Sequence, residues 1–414
     1  MSRIDELIAK HCPDGVWFDE LWNVAAYSST RIDASDLDET TFVGVDNLLP
    51  NMVGKTNATY TANTARLTAY EIGDILLGNI RPYLKKIWLA SNSGGCSGDV
   101  LAIRIAEPHH PELMPEFLYR LLASDDFFAY NMQHAKGAKM PRGSKEAILR
   151  YRIPIPPLEV QREIVKVLDT FTKLEAELEA ELEARRRQYQ YYRNALLTFG
   201  ERTNADASKQ ASKQARIRWA TLGEIANIVR GASPRPIQSF LAKAEDGIPW
   251  IKIGDVPTGG KYITSTAERV TSAGAEKSRR VHPGDFVLSN SMSFGRPYIS
   301  KIEGCIHDGW LAISDFSASF VPDFLYHLLR SAPVQAEFSR RAGAGTVQNL
   351  NADIVKSVSV PIPPLEEQAR IVAILDKFDA LVNDLSSGLP AEIKARRQQY
   401  EYYRDRLLTF RETA

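Results

Sequence analysis

The stretch Ile153–Phe171 reads IPIPPLEVQREIVKVLDTF, and Val360–Phe378 reads VPIPPLEEQARIVAILDKF. Pro154, Pro156, Pro157, Leu158, Glu159, Gln161, Ile164, Val165, Leu168, Asp169 and Phe171 all recur 207 residues later. A second match follows each: Ala184–Phe199, ARRRQYQYYRNALLTF, recurs as Ala395–Phe410, ARRQQYEYYRDRLLTF, identical at 12 of 16 positions. The offset there is 211, so the second copy holds four additional residues. Repetition on this scale makes the chain a duplicated pair before it is anything else.

Both copies predict long helices. Pro157 and Pro364 suit a first helical turn, and Leu158 to Phe199 contains neither glycine nor proline. A helix of that length would be on the order of 60 Å long. Ile164, Val167, Phe171, Leu174, Leu178, Leu182, Arg185, Tyr189, Tyr192, Leu196 and Phe199 fall at heptad spacing with one four-residue stutter. The second copy repeats the seam from Ile371 through Phe378, Leu381, Leu385, Leu389, Ile393, Tyr400, Tyr403, Leu407 and Phe410, with a break expected at Gly388 and Pro390.

The segments before the two helices correspond loosely. MPEFLYRLLAS from Met114 matches VPDFLYHLLRS from Val321, and GDILLGNIRPYLKKI from Gly73 resembles GDFVLSNSMSFGRPYISKI from Gly284. Val16, Phe18, Leu21 and Val24 align with Ile217, Trp219, Leu222 and Ile225. Apolar runs at Asp74–Leu77, Val100–Ile105 and Asp285–Leu288 predict strands, and Pro115–Ala123 and Pro322–Arg330 predict short helices. The expected organisation is mixed α/β: a first globular domain with a short N-terminal helix (1–152), a long helix (153–199), a linker containing ASKQASKQ (200–216), a second globular domain (217–359) and a second long helix (360–414).

Composition bounds the function. Hydrophobic residues make up 44% and charged residues 25% of the chain, as in ordinary globular proteins. No apolar stretch is long enough to span a membrane and no signal-peptide core opens the sequence, so a cytoplasmic location is expected. Cys12, Cys96 and Cys305 are too far apart to suggest disulfides or zinc. The formal net charge of +0 argues mildly against a nucleic-acid binder, but local basic faces survive such a sum.

The PIPPLE-x-Q approach to a long helix, its RR-x-Q-Y-x-Y-Y-R-x-x-L-L end, and their duplication around two dissimilar domains resemble the specificity subunits of Type I restriction-modification systems. The resemblance covers essentially the whole chain. It implies a pseudo-twofold protein whose two long helices pair antiparallel as a coiled-coil spacer, with two target-recognition domains that each read one half of a bipartite double-stranded DNA site. The chain itself would be non-catalytic and carry no cofactor. Two adenine-methyltransferase subunits using S-adenosylmethionine, and restriction/translocase subunits using ATP and magnesium, would be its partners.

Candidate DNA contacts follow from local chemistry. KGAKMPRGSK carries Lys136, Lys139, Arg142 and Lys145 in a glycine-punctuated loop without an acid, suited to phosphates and to a guanine edge. Its counterpart, GAGTVQNLN, offers Thr346, Gln348, Asn349 and Asn351, and amides suit adenine. Weaker candidates are Arg230, Ser233 and Arg235, together with Arg81, Lys85 and Lys86 in the first domain and Asn290, Ser291 and Arg296 in the second. Tyr189, Tyr192, Tyr400 and Tyr403 belong to the seam. Tyr191, Arg193, Tyr402 and Arg404 point elsewhere and are expected at the methyltransferase interface.

Catalytic signatures are missing. Gly54-Lys55-Thr56 imitates the end of a phosphate-binding loop, but Leu49 replaces its required first glycine, and there is no N-P-P-[YF] or D-P-P-[YF] methyltransferase motif. His109 and His110 lack metal-ligand partners in register. A structural adaptor that never touches DNA is the alternative that the neutral charge leaves open.

Overall fold

The computed structural model describes residues 3–60, 62, 64–199, 217–243, 246–256, 260–291, 293–343, 349–384 and 386–413. The chain forms two compact units, one of residues 1–177 with 394–414 and one of 178–393. The division therefore runs through the long helical segments rather than at their ends. The expected linker, 200–216, lies outside the described residues.

In the first unit, an antiparallel sheet has the order Ala25–Tyr27, Val100–Ile105, Ile75–Gly78, Ile87–Leu89. A second sheet has the order Arg31–Asp33, Arg66–Tyr70, Gly94–Cys96, Phe42–Val43, its last pair parallel. The second unit repeats the plan with an added strand in each sheet: Asn227–Arg230, Trp310–Ser314, Phe286–Ser289, Pro297–Ser300, Tyr262–Ile263, and Leu241–Ala242, Glu268–Val270, Ile248–Ile251, Gly304–Ile306, Arg279–Val281. The central strands are buried on both faces, which is why Val100–Ile105 and Phe286–Ser289 do not alternate and are apolar except for Arg104, which pairs with Asp74, and Ser289. Short helices, Pro115–Leu122 and Pro322–Leu329, cover one sheet of each unit through Phe117, Leu118 and Leu121 and through Phe324, Leu325 and Leu328.

The repeated proline motif has a structural explanation. Its first proline lies in a two-stranded ribbon that closes each globular part, Phe18 opposite Pro154 and Trp219 opposite Pro361, where a missing N–H is tolerated. The long helices then start at Leu158 and Leu365, one residue past the prolines. The glutamine three positions on is wholly buried in both copies. Gln161 accepts from the Met114 N–H at 2.9 Å and donates to the Glu112 and Pro156 carbonyls at 2.7 Å. Gln368 does the same with Val321, Ser319 and Pro363, at 2.8 Å each. One amide thus ties helix, ribbon and globular part together. Gln368→Leu keeps the volume but strands three buried backbone groups, and we expect urea denaturation to show a loss of about 3 kcal/mol.

Leu158–Leu197 is one unbroken helix. The second copy is broken, as expected, into Leu365–Asn383 and Leu389–Leu408. Asp384 accepts from Ser386 and Ser387 at the break, and a Cβ on Gly388 would stand 2.5 Å from the Ala380 carbonyl oxygen. Within the first unit, Phe171 stacks on Tyr403 and Glu175 pairs with Arg397, so the segments run antiparallel. Within the second, Tyr189 and Tyr192 stack on Phe378. One seam position is corrected: Val382 is 1% exposed, whereas Leu381 is 37% exposed. Leu385 lies outside the described residues.

His327 is fully buried in the second unit, with Asp376 at 2.8 Å and the Tyr189 hydroxyl at 3.3 Å. Burial holds its pKa below the ordinary histidine value even though the Asp376 carboxylate opposes this. The unfolded chain therefore binds this proton first as pH falls. Its contribution is fully present above about pH 6.5 and declines below, by at most about 1.4 kcal/mol per pH unit. Urea denaturation between pH 7.5 and 5.5 should show a steeper loss for the native chain than for His327→Gln; parallel slopes would exclude a neutral buried His327.

Candidate nucleic-acid interface

The loop after the first unit's helix Asp125–Gln133 is built as a small closed ladder. Lys136 and Arg142 exchange backbone hydrogen bonds at 2.9 and 2.8 Å, the Arg81 N–H donates to the Pro141 carbonyl at 2.7 Å, and the Gly143 N–H donates to the Asn79 carbonyl at 3.1 Å. Gly137 takes a positive φ of 102° to make the turn. Gly143 admits no side chain, because a Cβ would stand 2.4 Å from Asn131 Oδ1 and 2.8 Å from Asn79 Oδ1. Lys136, Lys139, Arg142 and Lys145 are all exposed, and Arg81 is exposed beside them. The fold therefore keeps five of the candidate cations of this unit exposed and holds Arg81 against the loop through its backbone.

The second unit has an equivalent place. The Leu350 N–H donates to the Asn290 carbonyl at 2.8 Å, as Gly143 does to Asn79, so Asn349 occupies the position of Arg142. Asn349 is exposed; Thr346 and Gln348 lie outside the described residues. Asn351 is exposed too, but its side-chain oxygen caps the helix Ala352–Lys356 by accepting from the Ile354 N–H at 2.8 Å.

Two carboxylates that sequence reasoning missed lie beside candidate residues. Asp99 lies 3.3 Å from Arg142 Nε. Asp308 accepts from Ser233 at 2.6 Å and lies 3.7 Å from Arg235, while its backbone carbonyl accepts from Arg230 Nε at 3.1 Å and Asn290 Nδ2 at 3.0 Å. The Ser233 hydroxyl is the main reason the Asp308 carboxyl titrates below the usual range. A signal existed: each aspartate follows a Gly-Cys pair at the same spacing, Gly95-Cys96 and Gly304-Cys305. Arg230 reaches this cluster because Gly231 packs directly on the His307 carbonyl, 2.0 Å from where a Cβ would be.

Several candidates point inward instead. Lys86 is buried and donates to the Val45 carbonyl at 2.7 Å; Lys85 pairs with Asp125. Asn290 is 4% exposed and spends its amide on Asp308, although Ser291 next to it is exposed. Arg296 is half-buried against the Tyr298 ring. Of the four helix residues expected at a partner interface, Tyr191 and Tyr402 are 69% and 61% exposed, but Arg404 is 2% exposed and bonded to Asp125 at 3.0 Å. Arg193 is half-buried against Tyr189. The arginines turn inward because the globular part of each unit packs on that face of the helix.

Among the described residues no group of three or more histidine, cysteine or acidic side chains could hold a metal, and no helix is long and apolar enough to cross a membrane. The three cysteines are buried free thiols, and burial raises the pKa of each.

Two similar sheet-bearing units, each joined to a long helix and each presenting polar side chains from equivalent loops, define a duplicated recognition scaffold. The family model for the type I restriction modification DNA specificity domain matches residues 96–184 and 218–395, and the chain belongs to that family. It is 34% identical over 273 residues to the Escherichia coli type I restriction enzyme EcoR124I/EcoR124II specificity subunit, a match spanning 63% of each chain. It is 33% identical to the Haemophilus influenzae putative type I restriction enzyme specificity subunit S.HindORF215P, over 72% of this chain and 73% of that one. The fold is shared with the HsdS subunit of Thermoanaerobacter tengcongensis, at a TM-score of 0.52 and 22% identity over 96% of this chain and 97% of that one. It is also shared with a chain solved in work on complex assembly and conformational transition of the type I R-M system, at a TM-score of 0.66 and 24% identity over 96% and 98%.

Proposed function

We propose that the chain reads a bipartite double-stranded DNA target, one half-site per globular part, and anchors two adenine-methyltransferase subunits and restriction/translocase subunits without catalysing a reaction itself. On this reading S-adenosylmethionine is used by the methyltransferase partners, and ATP and magnesium by the restriction partner. The observation that carries it is the pair Arg142 and Asn349. Both precede a backbone N–H bonded to the same asparagine carbonyl of the repeat, Asn79 or Asn290, and they differ in chemistry. An arginine fork suits guanine and an amide suits adenine, as two different half-sites require. Sequence would thus be written on an inherited scaffold by changing its exposed side chains. The exposed Tyr191 and Tyr402, at equivalent places of the two helices, supply aromatic anchors for the methyltransferase subunits.

The test is to assemble the chain with its methyltransferase subunits and map methylated adenines across a genome. Asn349→Ala should relax one half of the recognised motif by about 1–3 kcal/mol of discrimination and leave the other half's bases unchanged. Equal degradation of both halves, or no sequence preference at all in the native assembly, would refute the modular reading.

A further inference from the structure

The two units treat one repeated arginine differently. In the first, Arg404 meets two carboxylates: Asp125 at 3.0 Å, at the first position of the helix Asp125–Gln133, and Asp405 at 2.9 Å. In the second, the same arginine recurs as Arg193, against Tyr189 as Arg404 lies against Tyr400. Its surroundings have lost their net negative charge. Ala332 stands at the Asp125 position, first in the helix Ala332–Ala342; Asn194 stands at the Asp405 position; and Arg330 stands at the position of Ala123. Two negative charges are gone and one positive charge has been gained, while Asp379, where the first unit has Thr172, returns one negative charge.

Arg193 in the second unit borders a cavity of about 540 Å³, lined also by Arg296, Arg330, Ser293, Gly295 and Gln335 among others. No carboxylate lines it among the described residues. Arg330 is provided for, by the Tyr326 hydroxyl at 2.7 Å and by Asp379 at 3.6 Å behind it. Arg193 is provided for only in part: its Nε is buried with no hydrogen-bond partner, and burial, reinforced by Arg330, lowers its pKa even though Tyr189 and Asp379 oppose this. A buried guanidinium N–H left without an acceptor is costly, so a protein that keeps one has a use for it.

We propose that this cavity binds a phosphate dianion through Arg193 and Arg296, with Arg330 behind them. Once Asp379 balances Arg330, two guanidinium charges remain, which a dianion neutralises. The planar forks match phosphate oxygens in bidentate geometry. A DNA backbone phosphodiester carries one charge, so the better fit is inorganic phosphate or the terminal phosphate of a nucleotide. The site goes beyond sequence recognition and gives the second unit a ligand for which the first has substituted its own Asp125.

Thermal unfolding of the full chain at about pH 8 tests this, with phosphate titrated against chloride at equal ionic strength. A saturable, phosphate-specific rise in Tm is expected. Arg193→Gln should weaken it by at least about tenfold. Ala332→Asp, which restores the first unit's carboxylate, should raise Tm without ligand and abolish the phosphate response. It also keeps the test alive if Arg193→Gln fails to fold, since an acid at a helix N-terminus is itself favourable. Adenosine monophosphate in parallel identifies the source: a midpoint about tenfold below that of phosphate, equally sensitive to both substitutions, means a nucleotide, and equal midpoints mean free phosphate. The proposal is overturned if chloride matches phosphate in the native chain, or if the phosphate response survives both substitutions.

Discussion

Replacing Lys136, Lys139, Arg142 and Lys145 together by alanine is expected to lower the DNA affinity of the assembled complex by about 10²–10³-fold. It should also reduce the slope of log affinity against log salt by about 3. All four side chains face solvent, and the ion pair that Arg142 makes with Asp99 is itself exposed and therefore weak. Three of them placed on phosphates would each release about 0.9 counterion and each contribute a charge-assisted hydrogen bond of roughly 1–1.5 kcal/mol. The backbone ladder that shapes the loop uses Lys136 and Arg142 only through their main-chain atoms, so alanine leaves it intact. Filter binding or fluorescence anisotropy across a salt series measures both quantities. A complex that keeps its affinity and salt slope would place the DNA on another surface, and the adaptor reading would regain ground.

Inserting one more Leu-Glu-Ala-Glu unit after Glu181 should lengthen the unread spacer of the DNA target by one or two base pairs while leaving the bases of both half-sites unchanged. Leu174-Glu-Ala-Glu and Leu178-Glu-Ala-Glu are already tandem, and the unbroken helix Leu158–Leu197 contains them without a glycine or proline. Four residues add about 6 Å of helix and about 40° of rotation. One base-pair step is about 3.4 Å and about a tenth of a turn, so a small, discrete change is the natural response. Destabilisation of the seam would instead give loss of methylation with no new motif. Genome-wide adenine mapping distinguishes the two outcomes, and an active lengthened chain with an unchanged spacer would remove the helix as the ruler.

The legible part of this protein is the part that repeats. The helix beginning at Leu158 announced itself because forty residues without a breaker, carrying apolar side chains at heptad spacing, have no other ordered conformation available. The break near Gly388 and Pro390 was equally local in origin. Strands such as Val100–Ile105, apolar except for Arg104, lie where their composition predicts them. The short edge strands Phe42–Val43, Leu241–Ala242 and Tyr262–Ile263 were not, because two residues carry no periodicity and are strands only through their neighbours.

For the candidate interface, residue type and loop position were readable, and burial was not. Lys86 and Lys85 are adjacent lysines with the same intrinsic chemistry, yet one is buried on the Val45 carbonyl and the other half-buried on Asp125. Arg193 and Arg404 occupy identical places in the repeat, and only the residues packed against them from elsewhere make one a closed ion pair and the other the wall of a cavity. Helix periodicity and repetition are written along the chain, so the duplication, the long helices, the mixed α/β plan and the kinship that follows from them are legible in the residues alone. Which polar side chains reach solvent, that Asp99 pairs with Arg142 and Asp308 gathers Ser233 and Arg235, and that Gln161 and Gln368 fasten each helix to its unit were settled only in three dimensions. Those outcomes depend on partners far apart in sequence, and the free energy of a charge or an amide is set by what surrounds it in space.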